Sequence, residues 1–414
     1  MGFNNWKMKE VENQYNLWPY PTPIDDMDKR IENGYRDDAS PNEFWHVFFP
    51  EKTFNDKLKI FIGGCGTNQA IWFALTYPNS EITAIDLSET SLEHNKKMID
   101  KFNIKNLRIE KKDIFDISFD NEFDFVVSSG VIHHTKDPKK ALRKLIKAGN
   151  EKSAIYIMIY SEYARVGLYY LQDIFRYFNL QPNIEDLNYM LGLINGLPKE
   201  HYSQVFMGNN PGNYNFSHFG DEAGFVDSFL HPQDISYTCL DVENLINDSG
   251  GYFQCWLNNE RYYPHFLRNI PEKLSIDQLS QFEMGDFTQK ILSNSAKHDF
   301  IIRKSENFKN IWHNKGDISC ELFIEKRLDT INIEEFDDKS QKWGKVRKNI
   351  YTFDFDYLEG IIWKNLSKKI HINELFTVIK TKYSKNLDKD FNENNLKTTI
   401  HNLWKKGIIV ISRV

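Results

Sequence analysis

Cysteine is scarce, with only Cys65, Cys239, Cys255 and Cys320 among 414 residues. No Cys-x-x-Cys pair occurs and no histidine stands at ligand spacing from any of them, so neither a disulfide framework nor a structural zinc is expected, and no metal site is assigned. No stretch reaches the roughly 18 consecutive apolar residues that a membrane-spanning helix needs. The N-terminal "MGFNNWKMKEVENQ" is too polar for a signal peptide. Internal repeats and low-complexity tracts are also missing. These absences lead us to expect a soluble, cytoplasmic protein with no membrane insertion.

What is present describes a globular chain. Apolar residues make up 41% and aromatics 14%, which excludes intrinsic disorder as the dominant state. The length exceeds that of a single core, so two or three folded units are expected. A net charge of -6 argues against wholesale nucleic-acid binding. That charge is uneven: residues 361–414 hold eleven Lys and Arg against four Asp and Glu, a surplus of +7 that leaves -13 elsewhere. The basic segment reads as a solvated helical face or a homodimer contact in preference to a nucleic-acid surface.

The run "LKIFIGG" is short, apolar and β-branched, the signature of a buried strand ending at glycine. "TNQAIWFALTY" follows as a helix. Then come "EITAIDL" as strand, "SETSLEHNKKMIDKF" as helix, "LRIEKKDI" and "EFDFVVSSGVI" as strands, "DPKKALRKLIKAG" as helix and "SAIYIMIYS" as strand. Ser88 is placed to cap one helix, and Asp137 with Pro138 forms the cap and first turn of another. Strands and helices alternating at this spacing imply a parallel sheet covered on both faces, an α/β Rossmann-like arrangement. Ligands of such sheets sit beyond the carboxyl ends of the strands, where the glycine turn lies.

A dinucleotide turn wants G-x-G-x-x-G, and here Gln69 takes the third place after Gly64 and Gly66. A nucleoside without phosphates needs only close backbone approach and a later acid for its ribose. Asp86 stands at the end of the second strand for that purpose. Asp113, ending the third, can accept from an exocyclic amine such as that of adenine.

Taken in order, "IFIGGCGTN", "AIDLSETSLE", "KKDIFDI" and "FDFVVSSGVIHHTKDPKKALRKL" resemble the successive motifs of class I S-adenosylmethionine-dependent methyltransferases, over about residues 55 to 160. The resemblance implies a seven-stranded methyltransferase sheet, S-adenosylmethionine as cofactor, and cofactor contacts from Gly63, Gly64, Gly66, Asp86, Leu87, Asp113, Ile114 and Ser129. One departure is Gly63 itself, where many relatives carry an acid. The family fold adds a helix and two antiparallel strands after the fifth strand; "DVENLINDSG", "YFQCWL" and "KHDFIIRK" can supply them.

The organisation that follows is an N-terminal arm over residues 1–54, a methyltransferase domain over 55–305 with a helical cap inserted at about 161–240, and a winged-helix-like α+β accessory domain over 306–414. "YNLWPYPTPIDD" is expected to be extended by its prolines and to lie across the cofactor pocket. The loop from Met207 to Thr238 is read as irregular, a second lid. Its "DSFLHPQDISYT" resembles a segment following the cap in bacterial methyltransferases.

Methyl transfer from a sulfonium asks for positioning and exclusion of water, and for a base only when the nucleophile arrives protonated. His133 and His134 emerge at the end of the fourth strand as base or orienting groups, unless one of them merely orders the turn before Asp137. Tyr160 joins them as a catalytic candidate, while Tyr163, Arg165 and Tyr20 are candidates for holding the acceptor. The strand end lacks the Asn/Asp-Pro-Pro-Tyr sequence used for planar amide or base nitrogens, and Cys65 packs under the cofactor turn. The sequence therefore reads as a methyltransferase acting on an N or O atom of a protein side chain such as lysine, because its cap and accessory domain occur in similar order in bacterial lysine methyltransferases. A small-metabolite methyltransferase is the runner-up. A non-catalytic S-adenosylmethionine-sensing DNA-binding regulator is the alternative of another class, with a NAD-dependent oxidoreductase behind it.

Overall fold

The computed structural model describes residues 2–207, 214–265, 271, 274–308, 312–334, 344–348, 351–384, 387 and 390–414. The chain divides into two compact units. Met1–Ala39, Asp56–Tyr252 and Leu292–Glu306 form the first; Ser40–Asn55, Phe253–Ile291 and Asn307–Val414 form the second. The segments 40–55 and 253–291 thus group with the C-terminal residues, where a linear reading attaches them to the arm and to the methyltransferase domain.

The sheet is built from β1 (Lys59–Gly63), β2 (Glu81–Asp86), β3 (Leu107–Lys111), β4 (Phe123–Ser129), β5 (Gly149–Tyr160), β6 (Tyr252–Trp256) and β7 (Lys297–Arg303). Its order is β3-β2-β1-β4-β5-β7-β6. β1 to β5 are parallel, and β7 runs antiparallel to β5 with Tyr156 opposite Ile301. Ile60, Phe61 and Ile62 of β1 are fully buried, as a central strand covered on both faces requires. The direction of strand order reverses between β1 and β4, so the carboxyl ends of these two strands flank the crevice. The expected caps are in place: Ser88 Oγ accepts from the Ser91 amide at 3.1 Å, and Asp137 accepts from the Lys140 amide at 2.9 Å.

Above the sheet, helices Glu162–Tyr177, Ile184–Gly196 and Glu222–Phe229 enclose a small core of their own, centred on Leu168, Leu171, Phe175, Met190, Phe225 and Phe229. The last of these helices lies inside the stretch read from sequence as irregular; residues 208–213 of that stretch are outside the described residues. Asp221 caps it, accepting from the Gly224 amide at 2.9 Å. Phe225, Val226 and Phe229 at helical spacing bury one face, and burial outweighs the surrounding glycines and asparagines. Gly224 is required there, because a Cβ would sit 1.9 Å from the Phe219 carbonyl oxygen.

The arm begins as a helix, Gly2–Leu17, so Tyr15 is helical and only the proline-bearing stretch after it is extended. That stretch is tied to the cofactor turn. Thr67 donates to the Pro21 carbonyl, and Asn68 donates to the Thr22 carbonyl at 2.8 Å while accepting from the Ile24 amide at 2.9 Å. Ser88 and Thr90 donate to the carbonyls of Tyr15 and Asn16.

In the second unit, β8 (Phe323–Lys326), β9 (Thr330–Glu334), β10 (Lys345–Lys348), β11 (Tyr351–Asp354), β12 (Ile370–His371) and β13 (Ile409–Ser412) form two three-stranded sheets, ordered β11-β10-β9 and β12-β8-β13. Helices Ile372–Lys382 and Glu393–Lys405 precede the terminal strand β13. Lys348 is wholly buried and pairs with Asp329 at 2.9 Å and with buried Glu260 at 3.3 Å.

Candidate active site

A cavity of about 510 Å³ opens at the carboxyl ends of β1, β2 and β4, within the range of small-molecule sites. Gly64, Cys65 and Gly66 line it from the turn after β1, Asp86 and Leu87 from β2, Asp113 and Ile114 beyond β3, and Ser129 and Gly130 from the end of β4. Gly64 and Gly66 adopt positive φ of 84° and 53°. A side chain at Gly64 would strike Val131, with Cβ 2.3 Å from Cγ2, so glycine is needed both for conformation and for space.

Asp86 is fixed by two backbone amides: Gly66 donates to Oδ2 and Ser88 to Oδ1, each at 2.8 Å. This leaves the remaining lone pairs of an oriented carboxylate for ligand hydroxyls. Burial raises its pKa, partly offset by those amides. Asp113 accepts from the Phe115 amide at 2.9 Å, and burial raises its pKa as well. Of the residues the sequence assigns to the cofactor, Gly63 does not line the cavity; its carbonyl accepts from Ser128 at 2.9 Å. The acid missing there has a counterpart from the arm. Asp37, half-buried, lines the cavity, accepts from Gln69 Nε2 at 3.0 Å, and has its pKa raised by burial to about 6. Lys297 of β7 lines the same end.

The opposite end is polar and aromatic. Tyr15 donates to Asp227 Oδ1 at 2.8 Å, and Tyr160 donates to Asp227 Oδ2 at 3.1 Å. Asp227 is buried, and burial raises its pKa while both hydroxyls lower it. The Arg165 guanidinium stacks 3.6 Å over the Tyr160 ring and is neutralised by Asp234 at 3.3 Å, which Gln172 also holds at 3.2 Å. Tyr20, Tyr160 and Arg165 line the cavity together, whereas Tyr163 does not, its hydroxyl accepting from the Cys239 amide at 2.8 Å.

The two adjacent histidines separate. His134 lines the cavity; His133 does not, is fully buried, and has neither ring nitrogen hydrogen-bonded among the described residues. Burial drives the His133 pKa down. The backbone of Gln233 sets the tautomers of the imidazoles around it. Its carbonyl lies 2.7 Å from His134 Nδ1, which must donate, leaving Nε2 as acceptor. Its amide donates to His231 Nδ1 at 3.1 Å, so His231 carries its proton on Nε2, 3.2 Å from the Tyr15 hydroxyl. His134 and His231 stack with centroids 3.7 Å apart.

His134, Asp227 and His231 bring one ligand atom each within 4.8 Å of one another, as do His133, His134 and Asp234. The first set has metal-binding composition, but His231 Nε2 is the protonated nitrogen and both Asp227 oxygens accept from tyrosines. In the second, Arg165 already occupies Asp234. Hydrogen bonds account for the first group; in the second, Arg165 and Gln172 hold one Asp234 oxygen, while neither His133 nitrogen nor Asp234 Oδ1 is hydrogen-bonded among the described residues.

Sequence reasoning did not reach Asp37, Asp227, His231, Gln233 or Asp234 as site residues. The last four all lie in "DSFLHPQDISYT", and the signal was that segment's resemblance to others following a cap.

Comparison with known proteins agrees with this geometry. Residues 56–188 match a family model described as a methyltransferase domain. An uncharacterized protein of Synechococcus is 26% identical over 217 residues, covering 50% of this chain and 51% of that protein. An uncharacterized protein of Rickettsia prowazekii is 40% identical over 75 residues, covering 18% and 30% respectively. The chain thus spans about half or less of the length of these curated relatives. Among solved structures, PKMT2 from Rickettsia typhi in complex with AdoHcy superimposes with a TM-score of 0.61 at 14% identity, covering 96% of this chain and 78% of that one, a likeness of fold.

Proposed function

We propose that this chain, whose residues 56–188 belong to the class I S-adenosylmethionine-dependent methyltransferases, transfers a methyl group to a side chain of a protein, lysine being the leading candidate. The observation that carries the reading is the single cavity, in which Gly64, Gly66, Asp86 and Asp113 share walls with Tyr160, His134 and Asp227. Methyl transfer requires that adjacency, since the acceptor must meet the cofactor's methyl in line and out of water.

S-adenosylmethionine, when bound, supplies an electrophilic methyl on a sulfonium. Asp86 would hold the ribose hydroxyls, Asp113 the adenine amine, and the bare backbone at Gly64 and Gly66 would admit the nucleoside. Asp37 would take the ammonium of the amino-acid end and Lys297 its carboxylate. Tyr160 and Arg165 would position the acceptor, and His134 Nε2 would accept its proton. The shared architecture with PKMT2 over nearly the whole chain supports a protein acceptor. A small metabolite is the second reading, favoured by the enclosure of the cavity between arm and cap residues such as Tyr15, Tyr20, Arg165 and Asp227.

Incubating the full chain with methyl-labelled S-adenosylmethionine and a bacterial lysate tests this reading. Label in an acid-precipitable protein that survives nuclease treatment is expected. Label confined to the small-molecule fraction would move the assignment to a metabolite.

A further inference from the structure

We propose that Asp227, with Tyr15 and Tyr160, forms an ammonium-binding subsite, so that the acceptor is an amine that arrives charged. This rests on the methyltransferase reading and names the chemistry of its acceptor end. Four observations carry it. Asp227 is 3% exposed yet lines the cavity, and among the described residues no Lys or Arg pairs with it. The neighbouring Arg165 is already neutralised by Asp234. Both Asp227 oxygens accept from tyrosine hydroxyls, which fixes the carboxylate without supplying the positive charge that a buried anion calls for. The rings of Tyr15 and Tyr20 line the same cavity, and aromatic faces favour a cation and disfavour an anion; the Tyr160 ring already stacks on Arg165.

The subsite also explains why an oriented base stands beside it. An ammonium has no lone pair to offer. His134 Nε2 takes one proton from it and becomes an imidazolium close to the Asp227 carboxylate. The freed nitrogen pair would then form the new N–C bond while the electron pair of the breaking methyl–sulfur bond stays with sulfur, leaving a methylated ammonium on Asp227. A carboxylate acceptor would be repelled here, and a neutral alcohol, though it could donate a hydrogen bond, would bring no positive charge to the buried carboxylate.

Sinefungin tests the subsite without knowledge of the acceptor, because it carries an amine-bearing carbon in place of the sulfonium and so projects an ammonium toward the acceptor end. Calorimetric titration of the full chain with sinefungin and S-adenosylhomocysteine should show sinefungin binding about tenfold tighter. In Asp227→Asn the preference should fall to about unity while S-adenosylhomocysteine affinity stays within about twofold of wild type. Tyr160→Phe, which loosens the carboxylate without removing its charge, should keep part of the preference. Equal affinity of the wild type for both ligands, or a preference untouched in Asp227→Asn, would overturn the subsite and leave the methyltransferase reading standing. Failure of both ligands to bind the wild type would overturn that reading, and the subsite with it.

Discussion

At the residue scale, the separation of His133 from His134 gives the sharpest contrast. Replacing His134 by Ala should leave S-adenosylhomocysteine affinity unchanged and slow labelled methyl transfer about 100-fold, the usual cost of a lost base. His133→Leu should keep transfer and thermal stability close to wild type, since an imidazole with no hydrogen bond contributes little that an apolar side chain does not; loss of transfer in this variant would return His133 to the chemistry. Asp37 makes a pH prediction. Its carboxyl, lifted by burial to about 6 against the opposing pull of Gln69, the Ala39 amide and Lys297, and with Asp38 reinforcing the rise, is neutral below that pH. Cofactor affinity should therefore climb as pH rises through about 6, and Asp37→Asn should flatten the profile. The unliganded protein has the opposite slope: the folded state holds this proton to higher pH than the unfolded chain does, so the group's stabilising contribution declines across the same interval. Affinity measurements at several pH values, with and without the substitution, decide it.

At the scale of elements, Gly224 lies where the cap helix crosses the Phe219 carbonyl, and Gly64 where the turn crosses Val131. Gly224→Ala forces backbone apart and should cost about 1–3 kcal/mol, seen as a lowered Tm. Unchanged melting would mean that the crossing is looser than described. The strands, helices and caps from β1 to β5 were legible because each carries its own signal: a β-branched run, a 3.6-residue period, or Ser and Asp at a cap. The helix Glu222–Phe229 was not, because its glycine and its flanking asparagines read locally as loop, and only burial of Phe225 and Phe229 against the other cap helices decides the matter. The arm helix was missed for a similar reason, since the prolines that follow Leu17 dominated the reading. Asp86 and Asp113 could be picked out as cofactor candidates because Asp86 ends β2 and Asp113 follows closely on β3. Asp227 lies 67 residues beyond Tyr160, the residue it bonds, and no spacing rule connects them.

For the whole molecule, the grouping of segments 40–55, 253–291 and 307–414 into one unit is what a linear reading could least supply, because three stretches separated in sequence share a core. Within that unit Lys348 is buried against Asp329 and Glu260, and burial lowers its pKa. Removing one partner of such a group strands the others: Lys348→Ala should cost about 3–5 kcal/mol of stability, measured by denaturant unfolding. His134, Asp227 and His231 near the cavity are held by hydrogen bonds, so exhaustive treatment with a chelator should alter neither cofactor affinity nor Tm. A drop in either that zinc or iron restores would show that His134, Asp227 and His231 hold a metal.

The central claim is that the glycine turn and Asp86 bind S-adenosylmethionine. Calorimetric titration of the full chain with S-adenosylhomocysteine, wild type beside Asp86→Ala, tests it most directly. We predict binding of wild type at about micromolar concentration and a loss of about 100-fold or more in the variant, with both proteins folded by circular dichroism. A folded wild type that takes up no nucleoside, or an Asp86→Ala protein that binds it as well as wild type, would contradict the account.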